Sequence, residues 1–320
     1  MKIVFFGTAN VALPILEALK KEHEILAVVT NPDVKVGRKQ TIQESPVSAL
    51  ATDLKLPIHK PDKVKNNSEF LATLKSLNAD IFVVVAYGKI LPLEIINLPP
   101  HKTINVHFSL LPKYRGPSPI QAALLNGDSH TGTSIFILDE QVDTGPLIAQ
   151  EIVAVEPDDN YFTLSDKLAK LSAKIISGVV ADYASGKITP LPQVDAGASH
   201  TNIISKNDGK VDWNKTSSDI YNQFRAFYLW PGIWTMWNGK KIKITDCVPI
   251  TSLNPSFSKE GDAHTPLPKE SQGEVTESGV VVCGDNTFLK INSLQLEGKN
   301  ESPILEFLNG YQNFVNSKLN

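Results

Sequence analysis

Between residues 105 and 119 the chain reads Asn-Val-His-Phe-Ser-Leu-Leu-Pro-Lys-Tyr-Arg-Gly-Pro-Ser-Pro, a dense run of polar and conformationally restricted residues. Ile104 to His107 has the short pattern of a strand, and Asn105 and His107 stand two apart, so their side chains leave the same face. Asparagine offers an uncharged N–H donor; histidine offers a donor or, when protonated, a cation. Together they can stabilise an oxygen that turns negative when a carbonyl is attacked. Downstream, Asp139 to Gly145 (Asp-Glu-Gln-Val-Asp-Thr-Gly) is an acidic turn between two strand-like runs. A carboxylate there, folded back against His107, would pair with the imidazolium and receive protons. Each residue alone also fits a plainer role. A single histidine is commonly a satisfied core or surface residue, and Asp143-Thr144-Gly145 is a common turn sequence.

A second group of residues is cationic. Asn31-Pro32-Asp33 is followed by Gly37-Arg38-Lys39 and then by Ser45-Pro46-Val47. Lys35, Arg38 and Lys39 in this Gly-containing loop make a finger suited to phosphates or base edges, with a solvated loop as the plainer reading. Lys206, Lys210, Lys240, Lys241 and Lys243 are further candidate phosphate contacts or ordinary surface. Only Arg38, Arg115 and Arg225, of 31 basic residues, are arginine. In so lysine-rich a chain each arginine marks a place where a flat, bidentate cation is hard to replace. Gly7 closes the first strand-like run, but no other glycine follows before Pro14, and a dinucleotide fingerprint needs three. Gly7 is therefore read as easing a tight strand-to-helix turn.

These groups must be carried by a folded scaffold, and composition says which kind. The chain has 320 residues, 31 Lys+Arg against 34 Asp+Glu, and a formal net charge of −3. At about 100–200 residues per domain that length predicts two domains. With 42% hydrophobic and 20% charged residues it is neither disordered nor fibrous. The near-neutral balance excludes a protein that coats nucleic acid by bulk charge, so such a partner must be held by a local patch. From Lys206 onward there are 12 Lys+Arg and 13 Asp+Glu, so that half is no polyanion magnet either. Cys247 and Cys283 are too few for a disulfide framework or a zinc site, which predicts reduced thiols and no metal. No stretch approaches the ~18 apolar residues of a membrane span, and the apolar start is too short for a signal peptide core. A cytoplasmic monomer without membrane contact is expected.

The first half alternates strand-like runs (Ile3 to Phe6, Ile25 to Val29, Ile81 to Val85, Ile104 to His107) with helical patterns, which predicts an α/β fold with a parallel-rich, Rossmann-like sheet. Functional loops should then gather at the carboxyl ends of the strands. Ile135 to Leu138 and Leu147 to Val155 bracket the acidic turn, and Phe162 to Ala184 is the longest helical pattern. Residues 189–205, rich in Pro, Gly, Ser and Thr, are read as a linker between domains at 1–188 and 206–320. Beyond it come short strands, Gly232 to Trp237, Lys241 to Val248, Gly279 to Cys283 and Phe288 to Leu296, with a polar loop at Ser252 to Gln272. A small OB-like β-barrel closed by a helix from Pro303 to Leu308 is the expected second domain.

The segment Ile104 to His107, with Ser109-Leu110-Leu111-Pro112, Arg115-Gly116 and Pro119, resembles the signature of the 10-formyltetrahydrofolate-dependent formyltransferases. Asp143-Thr144-Gly145 is similar to their second signature. The resemblance runs over essentially the whole chain and is greatest to the members whose acceptor is methionyl-tRNA. It implies a Rossmann-like catalytic domain that binds 10-formyltetrahydrofolate as co-substrate, and an OB-like domain that helps hold initiator methionyl-tRNA. It implies catalytic roles for Asn105, His107 and Asp143, and folate binding by Ser109, Leu110, Leu111 and Pro112. The loop with Arg38 is similar to one that enters the acceptor-stem groove, and Phe224-Arg225-Ala226-Phe227 with Trp230-Pro231-Gly232 is similar to the family's C-terminal domain. The aromatics of that last segment are read as core.

There are departures: Phe108 stands where the family usually has a small residue, and Val142 stands where leucine is commoner. Formyltetrahydrofolate hydrolases share the same trio, and other members formylate a nucleotide sugar or a purine intermediate. The cationic finger and the second domain favour tRNA over these, and the intact trio speaks against a catalytically silent RNA- or folate-binding protein.

Overall fold

The computed structural model describes residues 1–36, 40–250, 272–276 and 278–320. Arg38 and Lys39 of the cationic finger, and the expected loop at Ser252 to Gln272 apart from Gln272 itself, lie outside the described residues. The chain forms two compact units. The first comprises Met1–Ala123, Ser129–Glu156 and Phe162–Asn202; the second comprises Leu124–Asp128, Pro157–Tyr161 and Ile203–Asn320.

The first unit is built on a seven-stranded sheet. Its elements run β1 (Lys2–Gly7), α1 (Leu13–Glu22), β2 (Glu24–Val29), β3 (Val34–Val36), β4 (Thr41–Gln43), α2 (Pro46–Asp53), β5 (Ile58–His59), α3 (Ser68–Ser76), β6 (Ile81–Val85), α4 (Leu93–Ile96), β7 (Thr103–His107), α5 (Pro119–Leu125), β8 (His130–Ile137), β9 (Leu147–Ala154) and α6 (Tyr161–Ala184). The sheet order is β5-β2-β1-β6-β7-β8-β9. Strands β5 to β7 in that order are parallel, while β8 runs antiparallel to β7 and β9 antiparallel to β8. Strand β6, Ile-Phe-Val-Val-Val, is buried at every residue, as a central parallel strand covered on both faces must be. Helix starts follow local chemistry: the Ser45 hydroxyl accepts from Ser48 N–H at the head of α2, with Pro46 at the first turn. Phe6, Phe82 and Tyr87 pack edge to face or tilted in the core on one side of the sheet.

The chain crosses from β1 to β2 and β5 on one side, then returns to β6 and β7 on the other. The switch point lies between β1 and β6, the place in an open parallel sheet where a crevice forms. Gly7 closes β1 there, and its role is space. A Cβ at this residue would stand 2.6 Å from the Phe5 ring and 3.2 Å from the Val85 carbonyl.

The second unit carries α7 (Ser217–Ala226), β10 (Ile233–Trp237), β11 (Lys240–Ile250), β12 (Val280–Val282), β13 (Phe288–Leu296), β14 (Glu301–Pro303) and α8 (Ile304–Gly310). The strands pair antiparallel in the order β10-β11-β13-β12, with β14 also on β13. Register shifts around Asp246 bend β11. Bulges of this kind curl a sheet toward a barrel, and the result is an antiparallel half-barrel. Trp237, Phe307 and Phe314 form its aromatic core.

The segment 189–205, read as a linker, is divided in the structure. Residues up to Asn202 belong to the first unit. Leu191 pairs with Leu147, and His200 bridges to Arg115. A Pro/Gly/Ser-rich composition signals lack of periodicity, and a segment held by isolated backbone bridges shows the same pattern as a free one.

Candidate active site

His107 ends β7 and Asn105 stands at its middle, one strand from the switch point. Asn105 is half-buried and His107 is buried. The ring of His107 packs edge-on to Phe136, which pairs with Asn105 across β8. Its Nε2 lies 2.9 Å from the carbonyl oxygen of Tyr114. A carbonyl only accepts, so Nε2 carries a proton whether the ring is neutral or charged. The other nitrogen, Nδ1, faces Oδ2 of Asp143 at 3.6 Å. That is beyond a hydrogen bond and within reach of an ion pair. Nε2 is thus committed to the Tyr114 carbonyl, and Nδ1 is the ring nitrogen that looks at Asp143. The Asn105 amide, among the described residues, has no protein hydrogen-bond partner.

Asp143 sits in the turn between β8 and β9 with φ 55°, in the left-handed region. Aspartate tolerates that region better than most residues. The turn is organised from within by Asp139, whose carboxylate accepts from the Thr144 hydroxyl at 2.8 Å and from Gln141 N–H at 3.1 Å. Oδ2 of Asp143 accepts from Gly116 N–H at 2.7 Å. Gly116 has φ 108°, and a Cβ there would meet the Thr201 carbonyl at 2.7 Å, so this residue must be glycine.

The loop after β7 is held along its length. Arg115 N–H donates to Ser199 O and Thr201 N–H donates to Arg115 O, both at 2.8 Å. The Ser109 hydroxyl donates to Lys113 O at 2.6 Å, and Ser134 Oγ donates to Ser109 O at 2.6 Å while accepting from Leu111 N–H at 3.0 Å. Gln150 donates to Leu111 O at 2.9 Å. Ser109 and Leu111 are buried, whereas Leu110 and Pro112 are half-buried. Phe108 is buried beside His107.

The three arginines have separate fates. Arg115 is buried, and its guanidinium donates to Gln193 Oε1 and Asp195 Oδ1. Arg225 is buried within the second unit, donating to Asp159 O at 3.0 Å and Asn222 Oδ1 at 2.6 Å. Burial lowers its pKa from the ordinary value. Arg38 falls outside the described residues. Lys35 lies exposed on β3, in a two-stranded hairpin with β4.

In the second unit, Lys210 bridges to Trp234 on β10, and Trp234 pairs with Lys243 on β11. The Lys241 ammonium stands 3.8 Å over the Trp234 ring, and the indole N–H donates to Lys206 O at 3.0 Å. One ammonium, that of Lys241, thus covers the Trp234 ring, while Lys206, Lys210 and Lys243 adjoin this tryptophan through backbone, and Lys240 opens the same strand, β11. Of the aromatics read as core, Phe227 is buried, but Trp230 is 55% exposed beside exposed Leu229.

The residues that sequence spacing missed are supporting ones: Gln193, Ser199 and Thr201 in the presumed linker, Ser134 and Gln150 on β8 and β9, and Tyr87. The Tyr87 carbonyl accepts from the Thr8 hydroxyl at 3.0 Å and from Asn31 at 2.9 Å, joining three loops at the switch point. Burial pushes the Tyr87 hydroxyl up to about 12. Among the described residues no cluster of His, Cys, Asp and Glu could hold a metal ion, and no helix is long and apolar enough to cross a membrane.

Residues 1–180 match the family described as formyl transferase, and residues 203–312 match its C-terminal domain. A methionyl-tRNA formyltransferase of Caldanaerobacter subterraneus subsp. tengcongensis is 40% identical over 315 residues, covering 97% of each chain. One from Caldicellulosiruptor saccharolyticus is 39% identical over 314 residues, covering 98% of this chain and 97% of its own. An N-formyltransferase from Helicobacter canadensis, solved with folinic acid and dTDP-3-aminofucose, shares the fold. Its TM-score is 0.65 at 20% identity, over 91% of this chain and 98% of that one.

Proposed function

The chain belongs to the formyl transferase family, and we propose that it transfers the formyl group of 10-formyltetrahydrofolate to the α-amino group of initiator methionyl-tRNA. The product is N-formylmethionyl-tRNA for translation initiation, made in the cytoplasm where charged tRNA is used. The observation that carries this reading is similarity at about two residues in five over nearly the full length, both units included, to enzymes named for that acceptor.

When bound, the folate supplies an electrophilic formyl carbon. The amine nitrogen forms the new bond to it, the bond to folate N10 breaks, the amine gives up one proton and N10 gains one. Asn105 donates from its unpartnered amide to the formyl oxygen as that oxygen turns negative. His107, protonated at Nδ1, places a cation on the same face of β7; with Nε2 given to the Tyr114 carbonyl, only Nδ1 serves. Asp143, its Oδ2 3.6 Å from Nδ1, faces that cation as an ion-pair partner and takes up the proton lost by the amine, through water. The fit to a folate co-substrate rests on two features: the Asn105 amide on β7, without a partner among the described residues, and a braced loop whose half-buried Leu110 and Pro112 offer apolar surface. Ser109 and Leu111 then act by shaping that loop.

For tRNA, the proposed contacts are Lys35, Arg38 and Lys39 in the first unit and Lys206, Lys210, Lys240, Lys241 and Lys243 in the second. The lysines near Trp234 combine charge with an aromatic face, the pairing that suits a nucleic-acid backbone with adjacent bases. Catalysis is assigned to residues 1–188 and tRNA retention to residues 206–320.

The test offers the protein 10-formyltetrahydrofolate with charged initiator tRNA, with a dTDP-amino sugar, or with water alone. Formylated methionine in the first arm and negligible product in the others is the expected result. Sugar formylation or free formate at a comparable rate would contradict it.

A further inference from the structure

We propose that Gln193 is a positioning residue for Asp143, tying the catalytic turn to the buried Arg115 guanidinium; this rests on reading Asp143 and His107 as reacting groups. The amide of Gln193 is used completely. Its oxygen accepts from Arg115 Nε at 3.2 Å and from Nη2 at 2.9 Å. Its nitrogen donates to Asp143 O and to Gly145 O, each at 2.9 Å. Turning the amide over would set its N–H groups against the guanidinium and its oxygen against two carbonyls, so the network admits one orientation.

Two features give this amide leverage. Asp143 holds a left-handed backbone at φ 55°, so its carboxylate direction depends on what grips the adjoining carbonyls. Arg115 is itself fixed, because its backbone is bridged to the 199–201 segment on both sides and its side chain is buried. The other acceptor of the guanidinium, Asp195, is 85% exposed, and an ion pair with so exposed a carboxylate adds little. Gln193 therefore connects a rigid anchor to the backbone that aims the carboxylate at His107 Nδ1. The geometry also separates the two halves of the contact. A glutamate at this position keeps an acceptor for Arg115 but loses both donors to the turn.

The experiment compares wild type, Gln193→Ala and Gln193→Glu, using ring-nitrogen NMR of His107 and steady-state formylation of charged initiator tRNA. Both variants are expected to shift the His107 ring signals while leaving those of His23, His59 and His101 unmoved. Both are expected to lower kcat by about ten- to a hundredfold, with KM for folate and tRNA within about twofold. In an Asp143→Ala background, Gln193→Ala is expected to add no further His107 shift. Unchanged His107 signals, a full further shift in that background, or normal kcat in Gln193→Glu would overturn the proposal. Should Gln193→Ala fail to fold, Gln193→Glu gives the same readouts. If wild type formylates no tRNA while the His107 coupling holds, the acceptor reading fails and the positioning role stands.

Discussion

The backbone N–H of Gly116 donates to Oδ2 of Asp143 at 2.7 Å, and this same oxygen faces His107 Nδ1 at 3.6 Å. One glycine peptide thus orients the carboxylate that faces the histidine ring.

Gly116→Ala should damage both stability and rate. Its φ of 108° is strained for alanine, and the new methyl would press on the Thr201 carbonyl. We expect a loss of roughly 1–3 kcal/mol in urea unfolding and a fall in kcat larger than any change in KM. An alanine variant as stable as wild type would mean that the loop relaxes and the glycine is dispensable.

On the proposed mechanism, Asn105→Ala removes a donor to the developing oxyanion and His107→Ala removes the cation beside it. Loss of one such donor raises a barrier by roughly 3–4 kcal/mol. Turnover should therefore fall more than a hundredfold, on the order of that barrier, with the fold intact by circular dichroism. A near-normal rate in either variant removes that residue from the mechanism.

The placement of Asn105 and His107 on one strand, before an acidic turn, is legible in the sequence because short-range rules govern it. A strand places Asn105 and His107 on one face, and an acidic turn between two strands is local too. The support was not legible. Gln193 reaches Asp143 from 50 residues away, through a segment whose composition signals only irregularity. The aromatic segment near Trp230 misled for a related reason: hydrophobicity places Phe227 correctly, but nothing in a residue's type marks Trp230 as exposed. The lysines near Trp234 read in the sequence as separate candidate phosphate contacts, and strand register sets Lys210 and Lys243 beside that one tryptophan.

The lysine cluster should act on tRNA alone. Lys241→Ala and Lys243→Ala are expected to raise KM for charged tRNA severalfold, leave folate KM unchanged, and reduce the salt slope of tRNA binding by about one per lost contact. Arg38→Ala should likewise weaken tRNA use without touching folate affinity. Loss of folate binding in any of these would show that the cationic residues have been misread.

Stability should depend on His23. Burial holds its imidazole below the ordinary value of 6.5, against a raising contribution from the Ser177 carbonyl 3.3 Å from Nε2. The unfolded chain therefore takes up this proton first as pH falls, so stability is full above about 6.5 and declines below it, down through the folded pKa. The urea midpoint of wild type should drop more between pH 7 and pH 5 than that of His23→Gln, as followed by fluorescence. Equal drops would show that His23 is not desolvated in solution.

The most direct test of the account follows the carbon itself. With 10-formyltetrahydrofolate labelled with ¹³C in the formyl group and charged initiator tRNA, the label should appear on the methionyl nitrogen. It should match the tetrahydrofolate released, one for one, with none left covalently on the protein. Label recovered as free formate at the same rate with or without tRNA, or held on an enzyme side chain, would contradict direct transfer between folate and amine.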